Sequence, residues 1–206
     1  MIKILNSSLT RLGVIKNVIS SDRMEEINGE NILDFTTVLD STLQTYINDN
    51  TVFELDGDYF DIAYYKKDAN DDDTFTIDVE SEHISYRLNR PEYNKEYFTE
   101  IGTPSVILGK ILQGTGFSIG TVEFPTTVTY SAQEAKSRRQ LLMEFAAYIG
   151  AEVKFYKFVI SLVQHLGSTS VKPVIKGKNV NVVSKIVNKR EKDKAGNTLV
   201  SYSCAP

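Results

Sequence analysis

The sequence has 206 residues, of which 41% are hydrophobic and 24% charged, so it can bury the core of one large domain or two small ones. A net charge of −4 gives no overall attraction for nucleic acid, whose phosphates need a positive surface. The single cysteine, Cys204, excludes an internal disulfide, and neither a secretory signal nor an apolar run of ~18 residues is present, so we expect assembly in a cytoplasm without membrane anchoring.

Strand signals dominate the first third, where alternating Ile, Val, Thr, Tyr and Phe are separated by turn residues. The clearest hairpin joins residues 13–27 to residues 30–39 through Asn28 and Gly29, a pair that suits a type I′ turn. Alternation along the second strand predicts one buried face. That face consists of Leu33, Phe35, Thr37 and Leu39.

A second hairpin is predicted from residues 51–55 and 58–66, joined by the turn Asp56-Gly57. An acidic stretch and a strand over residues 74–80 follow, and residues 82–88 read as a strand end or a short helical turn. Residues 1 to about 90 therefore indicate a small antiparallel barrel or sandwich.

The pattern changes after Pro91. Thr103-Pro104 predicts a helix start, and Gly114 its end. Residues 117–124 and 126–130 then favour two extended segments separated by Pro125.

The strongest helix is predicted from Ser131, with Glu134 in the capping-box position, to Ile149 before Gly150. Its apolar stripe should pack on a strand pair over residues 151–155 and 158–163. The basic residues nearby favour a solvated face over an anion site. They are Lys136, Arg138 and Arg139, and the same interpretation applies to Lys185, Lys189 and Arg190.

Residues 167–170 are typical of a linker. Strand composition returns at residues 171–175, 180–189 and 198–204, with a turn at residues 193–197. The β character of the first third thus resumes at the end of the chain. Because the sequence stops just after a predicted strand, we expect it to be a fragment of something longer.

Four segments, in order, resemble the N-terminal hub region of phage and prophage minor tail proteins, the tail-associated lysin or prophage tail endopeptidase family. The most recognisable is residues 79–88, VESEHISYRL, which is similar to that family's Glu-His-Ile-Ser-Tyr signature. The others are residues 12–30 (LGVIKNVIS followed by EEINGE), residues 137–160 (SRRQLL, GAEVKF and FVI) and residues 177–179 (GKN).

The resemblance implies an α+β, mainly β fold: a discontinuous antiparallel β-barrel domain with a small α/β domain inserted. On this interpretation residues 1–92 and 169–206 form the barrel, and residues 93–168 form the insertion. The longer relatives carry further domains that this sequence does not contain.

The resemblance also implies a homotrimeric hub of the baseplate or tail tip that links the tail tube or distal tail ring to the terminal device. Its partners would be the distal tail protein, the tail tube and the tape-measure protein, and its lumen would pass phage DNA without sequence-specific binding. The expected location is the virion tail tip, after assembly in the host cytoplasm.

His83 is the most tempting catalytic residue, since Glu80, Glu82, Ser81 and Ser85 flank it. Neighbours along a strand point to opposite faces, however, so adjacency does not predict a triad. A structural hydrogen-bonding role is favoured.

Other candidate sites have ordinary explanations. His165 lacks a second ligand at metal spacing, and residues 68–73 lack the glycine and glutamate of a calcium loop. Residues 114–116 and 177–178 do not have phosphate-loop spacing, and Asp56 and Asp58 flank a turn.

We therefore predict no catalytic, cofactor or metal residues, no cofactor and no enzymatic activity. The alternative is a receptor- or cell-wall-glycan-binding module, for which the 11 Tyr and 10 Phe offer stacking surfaces. A peptidoglycan endopeptidase is the less favoured alternative. The sequence does not separate contractile tails, non-contractile tails and secretion-related devices.

Overall fold

The computed structural model describes residues 1–69, 74–166, 186–192 and 198–204. They fall into two compact units, Met1–Leu166 and Gly167–Pro206. The chain is mainly β, with a large antiparallel sheet and a few helices, so the expected α+β, mainly β class is confirmed.

The first part of the chain forms a seven-stranded sheet in which every pair of neighbours is antiparallel. The strand order is β2-β1-β5-β6-β7-β4-β3. The strands are β1 (Lys3–Leu5), β2 (Arg11–Val14), β3 (Val18–Glu25), β4 (Asn31–Val38), β5 (Val52–Leu55), β6 (Asp58–Ala69) and β7 (Phe75–His83).

The sheet is forced to curl. Its two outermost strands, β2 and β3, are joined by residues 15–17 alone. Four Cα steps span at most about 14 Å, whereas the edges of seven flat strands would lie about 29 Å apart. The edges must therefore approach each other as they do in a barrel, although no ladder pairs β2 with β3 within the described residues.

The inner face of the sheet holds a first hydrophobic core. Leu33, Phe35 and Thr37 are buried as predicted, whereas Leu39 is only partly buried. The rings of Phe35 and Phe53 meet edge to face at 5.0 Å. A helix that the sequence did not predict, α1 (Ser41–Tyr46), adds Leu43 to this core, and Asp40 caps it by accepting two backbone N–H bonds.

The two predicted hairpin turns differ in geometry. The predicted turn at Asp56 and Gly57 is confirmed, and both residues have positive φ (53° and 87°), as a type I′ turn requires. In the other turn only Asn28 has positive φ (54°), and Gly29 does not, so type I′ is wrong there. The strand predicted over residues 13–27 is also divided, because its first part pairs with β1 and its second with β4.

Residues 84–163 build a second hydrophobic core from helices and two small sheets. The sheets are β10-β8 and β11-β12-β9, in which β9 and β12 are parallel. The elements are the 3-10 helices Ile84–Asn89 and Pro91–Tyr93, β8 (Phe98–Gly102), α2 (Pro104–Leu112), β9 (Ser118–Val122), β10 (Val128–Ala132), α3 (Arg138–Ile149), β11 (Glu152–Tyr156) and β12 (Val159–Val163).

The long helix begins later than predicted. Ser131 lies in β10 and pairs with Thr99, so the expected cap by Ser131 and Glu134 is wrong. The capping box is formed instead by Ser137 and Gln140, which bond to each other's backbone N–H groups. The helix ends where predicted, because Gly150 takes the left-handed conformation (φ 71°).

Arg138 is buried rather than solvated, which corrects the prediction of a basic solvated face. Its Nε donates to the carbonyl of Tyr93 at 2.7 Å, and Nη1 donates to the carbonyls of Lys110 and Ile111 at 3.0 Å each. These last two belong to the final turn of α2, whose carbonyls have no partner inside the helix. Arg138 thus caps α2 from α3 and is not an anion site.

The described residues of the C-terminal unit form a hairpin of β13 (Ile186–Lys192) and β14 (Thr198–Cys204), paired antiparallel from Ile186↔Cys204 to Lys192↔Thr198. The last predicted strand, residues 198–204, is confirmed. The predicted strand over residues 171–175, most of that over 180–189, and the turn over 193–197 lie outside the described residues. The predicted domain boundaries, with the C-terminal segment completing the first barrel, stay a prediction.

Replacing Arg138 by methionine, an unbranched side chain of similar length, should lower the free energy of unfolding by about 1–3 kcal/mol, because buried carbonyls of α2 lose their donor. Urea denaturation measures the change. The matched control is Arg90→Met at an exposed position, where we expect less than about 0.5 kcal/mol. Equal effects of the two substitutions would contradict the capping role.

Candidate functional site

A buried polar cluster lies where the two cores of Met1–Leu166 meet. Asp58 opens β6 directly after its turn, and His83 closes β7. Phe60 lies opposite His83 in the ladder, and Asp58, two residues earlier, is on the same face as Phe60. The antiparallel pairing therefore brings Asp58 and His83 together, although they are far apart in the sequence.

The hydrogen bonds of His83 define which ring nitrogen donates and which accepts. Nδ1 accepts the backbone N–H of Ser85 at 3.2 Å, so the ring proton lies on Nε2, 3.2 Å from Oδ1 of Asp58. The ring is completely buried between Phe60 and Phe155, each 5.7 Å away between centroids. His83 thus donates to a carboxylate and caps the following 3-10 helix.

Asp58 is the centre of this cluster. Its Oδ1 also accepts the backbone N–H of Lys157 at 2.9 Å, in the turn between β11 and β12, and its Oδ2 accepts Nη2 of Arg23 in β3 at 3.2 Å. Burial by itself raises the pKa of Asp58, but the hydrogen bonds from His83 and Lys157 and the charge of Arg23 outweigh it and leave the pKa below 3.8. One carboxylate therefore connects β3, β7 and the β11–β12 turn.

The serines beside His83 do not form a catalytic arrangement with it. The Ser81 hydroxyl donates to the carbonyl of Leu33, and the Ser85 hydroxyl is fully buried. Since both ring nitrogens of His83 are engaged and its side chain has no exposed surface, it cannot reach a substrate in this conformation. The structure gives His83 the hydrogen-bonded role that the sequence favoured.

Two further residues of the run 79–88 join the cores. The guanidinium of Arg139 lies 4.0 Å above the Tyr86 ring and donates to the carbonyl of Gly29 at 2.8 Å. Arg87 makes two bonds to Asp61, at 2.6 and 2.7 Å. The segment that resembles the family signature therefore joins the two cores. The prediction that Arg139 lies on a solvated face is wrong.

The β3–β4 hairpin tip is also tied to the second core. The side-chain amide of Asn28 donates to the carbonyl of Ala151 at 2.9 Å and accepts the N–H of Val153 at 2.7 Å. The sequence predicted Asn28 only as a turn residue. The contact has no local sequence signal, because its partners lie more than 120 residues away.

The remaining candidate residues do not converge. His165 is 72% exposed, with Nδ1 3.8 Å from a carboxylate oxygen of Glu152. Gly114 and Gly116 have positive φ in the turn after α2. The described residues contain no group of three or more His, Cys, Asp or Glu side chains that could hold a metal ion. Much of the acidic stretch, and residues 177–178, lie outside them.

An exposed apolar edge is the other notable surface. β3 is the last strand of the large sheet, and within the described residues its outer edge pairs with no strand. Most of β3 is exposed, including Ile19 at 60%, and Ile27 in the following turn is 58% exposed.

No helix in the described part of the chain is long and apolar enough to cross a membrane.

Several solved structures similar to this chain are tail proteins or a secretion-system component. A prophage tail protein, gp18 of Listeria monocytogenes EGD-e, matches all of this chain with a TM-score of 0.70 at 14% identity, and a tail protein of Neisseria meningitidis MC58 matches 94% of it with 0.62 at 9%. A type VI secretion component of E. coli, described as similar to T4 tail proteins gp27 and gp5, matches 72% with 0.51 at 15%.

These likenesses show the fold, whose mainly β class is the one that the sequence resemblance implied. The matched regions span 67%, 60% and 46% of the three longer proteins. No protein-family model and no curated protein matches the sequence.

Replacing Asp58 by asparagine should cost about 1–3 kcal/mol of stability near neutral pH, because charged hydrogen bonds are lost. The folded pKa lies below the unfolded value of 3.8, so the stabilisation is present above 3.8 and is lost as the pH falls through the folded value. The difference in free energy of unfolding between wild type and Asp58→Asn, measured with urea, should therefore become smaller below about pH 4. If this difference did not depend on pH, the stabilisation by an ionised Asp58 would be refuted. The control is Asp49→Asn at an exposed position.

Proposed function

We propose that this chain is a structural hub subunit of a bacteriophage or prophage tail, placed at the baseplate or tail tip, where it links the tube or distal tail ring to the terminal device. The observation that supports this most is the fold match to two tail proteins over at least 94% of the chain. A joint made of buried hydrogen bonds between two cores suits a load-bearing part, since it fixes their relative position.

Self-association would occur through the exposed edge of β3. An edge strand presents unpaired N–H and C=O groups, and closing a ring of identical subunits satisfies them. Ile19 and Ile27 add apolar area beside these groups. We propose a homotrimer, whose lumen passes DNA without holding it, in keeping with the net charge of −4. The distal tail, tube and tape-measure proteins would be its neighbours.

The role is proposed to be non-enzymatic. His83, the best candidate base, is enclosed and has both nitrogens engaged. The alternative is a secretion-related assembly, which the similarity to a type VI secretion component favours. Genes for a tape-measure or distal tail protein next to this one would favour the tail.

Light scattering after size-exclusion chromatography tests the association. The mass should rise from 23.2 kDa towards a trimer as concentration increases, and Ile19→Lys should weaken association at least about tenfold, because a charge would be buried at the interface. The matched control is Val106→Lys on α2, which is also exposed and should associate like wild type. A monomer at every concentration, or equal effects of both substitutions, would contradict the proposed edge.

A turbidity assay on purified host cell walls tests the absence of activity. The full chain should clear peptidoglycan no faster than buffer, and His83→Gln should not change the result. Clearing by the wild type that is lost in His83→Gln would establish the endopeptidase alternative instead.

A further inference from the structure

Asn28 and Gly29, in the turn between β3 and β4, form the single Asn-Gly pair of the sequence. Asparagine before glycine is chemically labile, because glycine has no Cβ to keep its backbone nitrogen away from Cγ of the asparagine. Attack of that nitrogen on Cγ releases ammonia and converts the asparagine to aspartate. Since Asn28 also joins the two cores, this reaction would change the contact between them.

The fold requires both residues of the pair. The amide of Asn28 donates to the carbonyl of Ala151 at 2.9 Å and accepts the N–H of Val153 at 2.7 Å, so it acts as donor and acceptor at once. Its φ of 54° is one that asparagine tolerates better than most residues. A Cβ on Gly29 would lie 2.8 Å from Cβ of Glu26, which is too short for two carbon atoms. The labile pair is therefore part of the turn.

The same contacts oppose the reaction. Two hydrogen bonds hold the amide of Asn28 against β11, so Cγ is not free to turn towards the backbone nitrogen of Gly29. That nitrogen is itself engaged, since its N–H donates to the carbonyl of Glu26 at 3.2 Å. Asn28 is exposed to water, so its protection comes from these bonds and not from burial. The reaction therefore requires the turn to separate from β11.

Water is the only co-reactant that the conversion needs. The nitrogen of Gly29 loses its proton and bonds to Cγ of Asn28, the Cγ–Nδ2 bond breaks, and ammonia leaves with that proton. Water then opens the cyclic imide at either carbonyl, which gives aspartate or isoaspartate. The new carboxylate accepts hydrogen bonds but does not donate, so the bond to the carbonyl of Ala151 is lost. Its charge also adds to that of Glu26 in the same turn.

We propose that Asn28 is a deamidation site whose reaction is prevented by the docking of the two cores. A chain in which the β3–β4 turn stays on β11 keeps its asparagine. A chain in which the turn has separated is converted to aspartate, so the loss of this contact becomes irreversible. The site is independent of the proposed hub role, because neither the β3 edge nor a partner is needed for it.

The test is the rate of deamidation of the full chain in mildly alkaline buffer, followed by mass spectrometry of the proteolytic peptide that contains Asn28. The rate in native buffer should be at least about tenfold lower than in guanidinium chloride above the unfolding midpoint, because two hydrogen bonds must open first. In the same denaturant Gly29→Ala should react more slowly than wild type, since a Cβ hinders the attacking nitrogen. Equal rates for the native and the unfolded wild type would overturn the proposal.

Two variants separate opening between the cores from global unfolding. Asp58→Asn weakens the contact between the cores and leaves the Asn28-Gly29 pair unchanged. It should raise the rate in native buffer about fivefold or more, because the turn opens more often. The matched control is Arg138→Met, which removes bonds to α2 with a similar loss of stability and should raise the rate less. Equal acceleration by both variants would mean that the reaction follows global unfolding, which overturns the proposal.

The effect of the product is measured by stability. Asn28→Asp should lower the urea midpoint of unfolding, because the donor to the carbonyl of Ala151 is lost. Deamidated wild type, isolated by ion exchange, should unfold at a similarly lowered midpoint. The control Asn94→Asp, at an exposed position, should keep the wild-type midpoint. If Asn28→Asp unfolds at the wild-type midpoint, the contact does not depend on the amide and the proposal is overturned.

Discussion

The carboxylate of Asp58 is the constraint on which the arrangement of the two cores depends. It accepts from His83 at the end of β7, from the Lys157 backbone and from Arg23. A buried carboxylate is stable only when its acceptor positions are filled. The three donors come from both cores, so the charge is satisfied only when the cores are docked. Apolar packing would stabilise the same contact without fixing its geometry.

The hydrogen bonds between the two cores and the curled sheet together explain how the fold can serve as a subunit of a larger assembly. The short connection between β2 and β3 brings the sheet edges together, yet in the part of the chain that the structure describes the outer edge of β3 is unpaired. Near this joint, Arg138 donates to backbone carbonyls, and Arg139 donates to a carbonyl and lies over an aromatic ring. A subunit with an unpaired edge at β3 among the described residues is suited to repetition around an axis, which agrees with the hub role proposed above.

The candidate site shows where sequence reasoning reaches its limit. The run 79–88 stood out as a signature, and a hydrogen-bonding role was favoured for His83, which agrees with the bonds at both of its ring nitrogens. Its partner Asp58 was interpreted only as a turn residue, because the bond between them depends on the β6–β7 register. Arg138 and Arg139 were predicted to be solvated because they are charged. In the structure each guanidinium donates to a backbone carbonyl of another element. Ser131 was a plausible cap until pairing with Thr99 placed it in a strand.

The sequence by itself determined the mainly β class, the Asp56-Gly57 turn, the helix end at Gly150 and the buried face of β4. Each of these rests on local chemistry: positive φ at Asp, Asn and Gly, or a period of two in hydrophobicity. Only the tertiary structure decided that β2 and β3 belong to opposite edges, that α3 starts at Arg138, and that Asn28 and Asp58 join the cores. These depend on pairing between residues far apart in the chain, for which a single sequence carries no local signal.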